Sequence, residues 1–219
     1  MNLRRTCLLC LLALALCSVP AMAGTLYSNL GTGSTVYNCC TGWTISGTGS
    51  VGTSFTSANQ FEVTTGGSVS EIDVGVGYVE GANSFYVDVD ANSSSNTPGT
   101  VLASFTGLSS STPFGDCCGL VKITNITGLT LNTGTEYWLV IGPTSTSGTT
   151  WEAWNFSNSA TGLDEYSTNG GSTWNSNGTQ SQGAFQIIGG GTIPEPTSLL
   201  LMGSGLLGVV AAFRRKLNL

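Results

Sequence analysis

The sequence contains no histidine in its 219 residues, and only 8% of its residues are charged. Without histidine, the usual general base and the commonest metal-binding side chain are both missing. This absence excludes a Ser-His-Asp catalytic arrangement. Carboxylates remain available for a glycosidase, but no pair of them is marked by its sequence context. We therefore expect no enzymatic activity.

Basic residues are also scarce, and all but one lie near the two ends of the chain. Among the six lysines and arginines, only Lys122 lies between residues 24 and 192. The same segment holds eleven of the twelve acidic residues, so its formal charge is −10. A surface this acidic repels phosphate backbones, which excludes nucleic acids as partners.

Residues 1–23 have the pattern of a secretory signal peptide. Two arginines at 4–5 precede a short apolar stretch, and Ala-Met-Ala at 21–23 supplies the small residues of a signal-peptidase site. The pattern predicts export, cleavage by signal peptidase and a mature chain that starts near Gly24. Lipidation of Cys17 is a less favoured alternative, because the residue before it is bulky.

The segment 24–192 alternates apolar and polar residues in short runs, which is typical of β-strands. Apolar side chains occupy every second position in the runs 72–78 and 85–89. Turn-forming Gly, Asn, Ser and Pro residues separate these runs, and no sustained helical period occurs outside the termini. The pattern predicts an all-β protein with a single β-sandwich or jelly-roll-like domain.

Two pairs of adjacent cysteines lie in the predicted domain. Adjacent cysteines that bond to each other form a strained ring, so we expect disulfides between the two pairs in an oxidising compartment. The pairing itself stays open. A four-thiolate zinc site is less favoured, because adjacent cysteines place both sulfurs on one ion poorly. The cysteines concerned are Cys39, Cys40, Cys117 and Cys118.

The run from Asp88 through Asp90 to Asn92 resembles the start of a calcium-binding loop. It lacks the glycine and the final acidic residue of an EF-hand. We interpret Asp88 and Asp90 as the solvent face of a strand and keep them as weak candidates for a structural calcium. No other cofactor or metal is expected.

Aromatic residues cluster in the last third of the predicted domain. Sugars stack on flat aromatic rings, and β-sandwiches bind glycans in this way, so an aromatic face is a candidate glycan-binding site. The alternative is ordinary packing in the core and at its rim. The candidate residues are Trp151, Trp154, Tyr166 and Trp174.

Residues 193–219 form a tail in three parts. Pro194, Glu195 and Pro196 come first, an apolar run over 198–213 follows, and Arg214, Arg215 and Lys216 come last. The run has the shortest length that spans a bilayer as a helix, and the basic cluster would hold its far end in the cytoplasm. A permanent single-span anchor is one interpretation of this tail.

This tail closely resembles the PEP-CTERM sorting signal of Gram-negative bacteria, with the three parts in the same order. The resemblance implies recognition by an exosortase, a membrane transpeptidase, after transient insertion in the inner membrane. The enzyme would cut near Pro-Glu-Pro and transfer the body towards the cell envelope, cell surface or extracellular matrix. The tail residues would then be substrate residues without a catalytic role. Proteins with this signal are usually linked to exopolysaccharide and biofilm.

The body is similar to the choice-anchor domains of the R type over residues 53–188. The similarity rests on the short motifs "SANQFEV", "NTPGTVLASF", "LTLNTGTEYWLVI" and "STNGGSTW". It implies an extracellular β-sandwich with an exchangeable C-terminal anchor, and it brings no ligand or activity.

These features predict three parts: a signal peptide over residues 1–23, an extracellular β-sandwich over 24–192 and a transmembrane sorting helix within the sorting segment 193–219. The predicted function is a non-enzymatic structural or adhesive role at the bacterial surface or in its matrix. The alternative is a carbohydrate-binding module that recognises exopolysaccharide through an aromatic face.

Overall fold

The computed structural model describes residues 24–33 and 35–190. The predicted signal peptide and sorting segment therefore lie outside the described residues. Within the described ranges, no helix combines the length and the apolar character that a membrane crossing requires.

The described chain contains thirteen strands and one short helix. The first half holds β1 (Thr25–Ser28), β2 (Asn38–Ser46), α1 (Thr48–Val51), β3 (Thr56–Val63), β4 (Gly67–Val74), β5 (Val76–Glu80) and β6 (Phe85–Asn92). The second half holds β7 (Pro98–Leu108), β8 (Val121–Thr124), β9 (Thr130–Leu131), β10 (Thr135–Pro143), β11 (Trp151–Ser167), β12 (Asn175–Gly183) and β13 (Phe185–Gly189).

The strands form two antiparallel sheets, which confirms the prediction of an all-β, sandwich-like fold. The smaller sheet has the order β1-β13-β4-β8, with β9 beside β4. The larger sheet has the order β12-β11-β3-β10-β6-β7, and β2 and β5 also pair with β11. Neither the strand order nor the division into two sheets follows from the alternation pattern.

The main core lies between the two sheets. On β6, Phe85, Val87 and Val89 are fully buried, as the alternation in this run predicts. Aromatic rings join the sheets, because Phe61 of β3 lies 5.4 Å from Phe185 of β13 and 5.1 Å from Tyr27 of β1, measured between ring centroids. These contacts place the apolar face of each sheet against the other.

The run 72–78 departs from its prediction as one continuous strand. It belongs to β4 up to Val74 and to β5 from Val76, and these two strands lie in different sheets. Gly75 is the point of transfer, where its N–H donates to the carbonyl of Ala184 over 2.9 Å. A β-carbon on Gly75 would press on the ring of Tyr37, so the close approach requires glycine.

Candidate functional site

An aromatic pocket of about 410 Å³ opens on the larger sheet, beside β11. Its aromatic walls come from β2, from the residue before β3 and from β11, and its polar groups come from β2, β3 and β12. The lining residues are Gly42, Trp43, Thr44, Phe55, Ser57, Tyr166 and Asn177. None of these side chains carries a formal charge. We call this site the aromatic pocket.

The pocket lies where β11 changes its pairing partner. β11 pairs with β2 over residues 151–156 and with β3 over residues 164–167. This exchange brings Trp43 of β2 and Tyr166 of β11 to the same opening, although they are far apart in sequence. The bulge between Phe156 and Thr161 of β11 separates the two pairing regions.

Contacts with neighbouring residues hold the aromatic walls of the pocket. The indole Nε1 of Trp43 donates to the carbonyl of Ser181 over 3.1 Å. The ring of Trp43 also packs edge-on against Phe156, with the centroids 5.1 Å apart. Across the pocket, Phe55 and Tyr166 lie 6.4 Å apart at a tilt of 48°. Fixed rings of this kind offer flat apolar surface without losing much side-chain entropy on binding.

A buried carboxylate anchors the polar side of the pocket. Asp164 is fully buried and accepts hydrogen bonds from the amide Nδ2 of Asn59 over 2.8 Å and of Asn177 over 2.6 Å. Burial raises the pKa of Asp164 to about 7, and the two amide donors oppose this rise. Because its Nδ2 is engaged, Asn177 stands in a fixed orientation at the pocket wall. The arrangement joins flat aromatic surface to oriented polar groups.

The four predicted glycan-binding residues do not form one site. Trp154 is 0% exposed, and its Nε1 donates to the carbonyl of Ala184 over 3.1 Å inside the core. Its prediction as a glycan contact is therefore wrong, because the ring lies between the sheets. Trp174 packs against a cluster on the outer face of the larger sheet, and Trp151 is half-buried outside the pocket. Only Tyr166 lines the aromatic pocket.

Sequence reasoning missed Trp43 and Phe55 as pocket residues. Each is an isolated aromatic residue more than a hundred positions before Tyr166. The only local signal is that Trp43 follows a glycine in a short strand, which is too common to identify a site. Their proximity comes from the pairing of β11 with β2 and β3.

The cysteine pairs form one long-range disulfide, Cys39–Cys117, with the Cα atoms 5.5 Å apart. It attaches the loop before β8 to the start of β2, beside a hydrogen bond from the Gly115 N–H to the Cys39 carbonyl of 3.0 Å. The predicted second bridge is not formed, because Cys40 is an exposed free thiol. In the described ranges, the sulfurs of Cys39, Cys117 and Cys118 form the only group of three His, Cys, Asp or Glu ligand atoms within 4.8 Å of one another. Two of these sulfurs are bonded to each other, which argues against a thiolate metal centre.

The two predicted calcium candidates lie on the outer face of β6, beside the cluster around Trp138. Asp90 is only 5% exposed, so its interpretation as part of a solvent face is wrong. Asp88 is half-buried. Across the ladder, Asp90 lies opposite the fully buried Trp138 of β10, which is distant in sequence.

Residues 192–216 match the PEP-CTERM protein-sorting motif. No curated protein matches the chain. The motif indicates an exported protein that an exosortase processes, and it implies passage through a membrane to the cell surface. The predicted sorting residues fall inside the match but outside the described residues. They are Pro194, Glu195, Pro196, Arg214, Arg215 and Lys216. The resemblance to choice-anchor domains stays a prediction.

Proposed function

We propose that the β-sandwich is a non-enzymatic structural or adhesive module, delivered to the surface or extracellular matrix of a Gram-negative bacterium. The sorting motif over residues 192–216 carries this proposal, because it directly follows the β-sandwich domain of residues 24–190. The β-sandwich is therefore the part that an exosortase would transfer.

Two properties of the sandwich support this role. Cys39 and Cys117 form a disulfide over a sequence separation of 78 residues, which suits an oxidising exterior. The formal charge of −10 over residues 24–192 keeps separate copies from associating without control. A β domain with a disulfide cross-link and a strongly acidic surface is well suited to permanent exposure outside the cell.

The intact mass of the protein released from its native cells tests this proposal. We expect a chain that starts near Gly24 and ends near Pro194–Pro196, after signal peptidase and the exosortase have acted. Fractionation should then place this product at the surface or in the matrix. A mass that runs through Leu219 in the membrane fraction would contradict release to the matrix and would indicate a permanent anchor.

The second candidate function is recognition of exopolysaccharide by the aromatic pocket. It is favoured by one observation, the joining of the fixed rings of Trp43, Phe55 and Tyr166 to the oriented amide of Asn177. A sugar ring has an apolar face that stacks on such rings and hydroxyl groups that bind such amides. The uncharged lining within an acidic domain favours neutral or amino sugars and disfavours acidic ones.

A glycan array with the processed protein separates the two functions. If the pocket binds sugars, Trp43→Ala and Tyr166→Ala should each weaken binding roughly tenfold, since losing a stacking contact removes about 1.4 kcal/mol. Trp151→Ala is the matched control, because Trp151 is an aromatic residue of β11 outside the pocket, and it should bind as the wild type does. A blank array, or an equal loss in the control, would leave the structural role alone.

A further inference from the structure

On the outer face of β6, Asp90 is buried and Asp88 half-buried, and one carboxylate oxygen of each lacks a hydrogen-bond partner in the described residues. The two residues are two positions apart and share a face of the strand. Asp90 is 5% exposed, and the Oδ1 atoms of Asp88 and Asp90 are buried without any hydrogen-bond partner in the described structure. A buried oxygen of an ionised carboxylate that lacks a donor is strongly unfavourable. A bound cation or a proton would stabilise such an oxygen.

The domain has no basic side chain left to neutralise this pair. Lys122 is the only lysine or arginine between residues 24 and 192, and its Nζ binds Glu71 at 2.8 Å and Asp73 at 3.2 Å on the smaller sheet. Burial, and then repulsion by Asp88, raises the pKa of Asp90 to about 7. The compensating charge must therefore come from solvent, either as protons or as a cation.

The surroundings of the pair supply oxygen ligands. In the ladder of β6 with β7, Asp88 lies opposite Ser104, whose hydroxyl hydrogen-bonds the carboxylate and lowers its pKa. On the other side, Asp90 lies opposite Trp138 of β10. Carboxylate, hydroxyl and water oxygens are the ligands that calcium takes, in flexible geometry. Zinc and copper prefer nitrogen and sulfur ligands, which none of these residues offers.

We propose that Asp88 and Asp90 bind a calcium ion on the outer face of the larger sheet. The two carboxylates supply its protein charge, and the hydroxyl of Ser104 and water complete its oxygen ligands. With only two carboxylates, the dissociation constant should be on the order of 10⁻⁴–10⁻³ M, as in extracellular calcium modules. The site would be filled only after export, where it would stabilise the β6–β7 edge of the larger sheet.

Thermal unfolding of the processed protein, with and without calcium, tests the site. Calcium at ten times its dissociation constant should raise the melting temperature by roughly 3 °C or more relative to a chelator. Asp88→Asn and Asp90→Asn should each lose this rise. Without calcium, Asp90→Asn should melt above the wild type at pH 8, because the buried charge and its repulsion are gone.

Glu80→Gln is the matched control, since it removes one negative charge from an exposed position of β5. It should keep the full response to calcium. Terbium luminescence gives a second measurement, because Trp138 beside Asp90 can transfer excitation to a bound lanthanide that calcium then displaces.

Three outcomes would overturn the site. One is a melting temperature of the wild type that does not respond to calcium. Another is a full response in Asp90→Asn. The third is an equal response to sodium chloride at the same ionic strength, which would show general screening of the acidic surface.

Discussion

Two buried carboxylates of the larger sheet, Asp164 and Glu152, lie on the same strand but differ in their hydrogen bonding. Each oxygen of Asp164 accepts an amide hydrogen bond, from Asn59 or Asn177. Both oxygens of Glu152 are buried without a hydrogen-bond partner in the part of the chain that the structure describes. Both side chains are 0% exposed.

Despite this difference, the pKa values of both groups are raised by burial. The pKa of Asp164 rises to about 7 and that of Glu152 to about 8. Amide donors satisfy the hydrogen bonds of a carboxylate, but they bring no positive charge to offset its desolvation. Because the domain contains a single lysine, side-chain amides are almost the only donors that can lie beside its buried acids, and amides are uncharged.

The largest expected effect is a loss of stability with rising pH, with Glu152 as a main source. Above the ordinary pKa of 4.5, the unfolded chain releases the Glu152 proton, while the folded chain keeps it up to about pH 8. The folded state then binds more protons, so its stability falls by about 1.4 kcal/mol per pH unit in this window. Chemical denaturation from pH 5 to 8 should show the fall in the free energy of unfolding. In Glu152→Gln, the dependence of this free energy on pH should be smaller by the equivalent of about one proton.

An exposed acid provides the control for this experiment. Glu62→Gln removes the same charge from an exposed position of β3 and should leave the slope unchanged. If Glu152→Gln has the same slope as the wild type, Glu152 is not held protonated, and its contrast with Asp164 in hydrogen bonding would have no consequence.

The second effect concerns the amides around Asp164. Asn59→Leu should destabilise the domain by roughly 2–3 kcal/mol, because it leaves one oxygen of Asp164 and the N–H of Gly183 without their partners. Urea unfolding at pH 7 measures the loss. Asn59→Asp is informative as well, since it places a second carboxylate beside Asp164 and should be more harmful above pH 7 than below it. An unchanged midpoint in both variants would show that the amide network contributes little.

The smallest effect is expected at the lysine. Lys122 bridges Glu71 and Asp73, but 57% of its side chain is exposed. Solvent screens the ammonium group, and the 0%-exposed Asp73 keeps the hydrogen bond from the Gln186 amide over 2.7 Å, so Lys122→Met should cost only about 1 kcal/mol at moderate salt. The loss should shrink further as salt increases, which denaturation in low and high salt would measure. A loss as large as that of Asn59→Leu would show that the single cation outweighs the amides.

Part of the fold was accessible from local patterns. The alternation over residues 85–89 predicted the buried face of β6, because β6 stays in the larger sheet along its whole length. The same kind of alternation over residues 72–78 failed to predict a single strand, because Gly75 lets the chain leave one sheet and enter the other. A period of two describes the faces of a strand and carries no information about its sheet.

The candidate site was less accessible for a related reason. Trp154 and Trp43 are directly opposite each other in the ladder of β11 with β2, yet only Trp43 lines the pocket. A β-carbon at Gly183 would clash with the ring of Trp154, so the absence of a side chain there makes room for that ring in the core. Gly183 lies 29 positions later in the chain, and no local pattern connects the two residues.

The sequence alone determined the sorting motif, the scarcity of basic residues and the all-β character of the domain, because these depend on residue order or on composition. It also predicted bridging between the two cysteine pairs. Only the tertiary structure decided that Cys39 pairs with Cys117, that Trp43 joins Tyr166, and that Asp90 is buried. Each of these depends on which strands become neighbours across a sheet, and that choice is made by packing over long sequence separations.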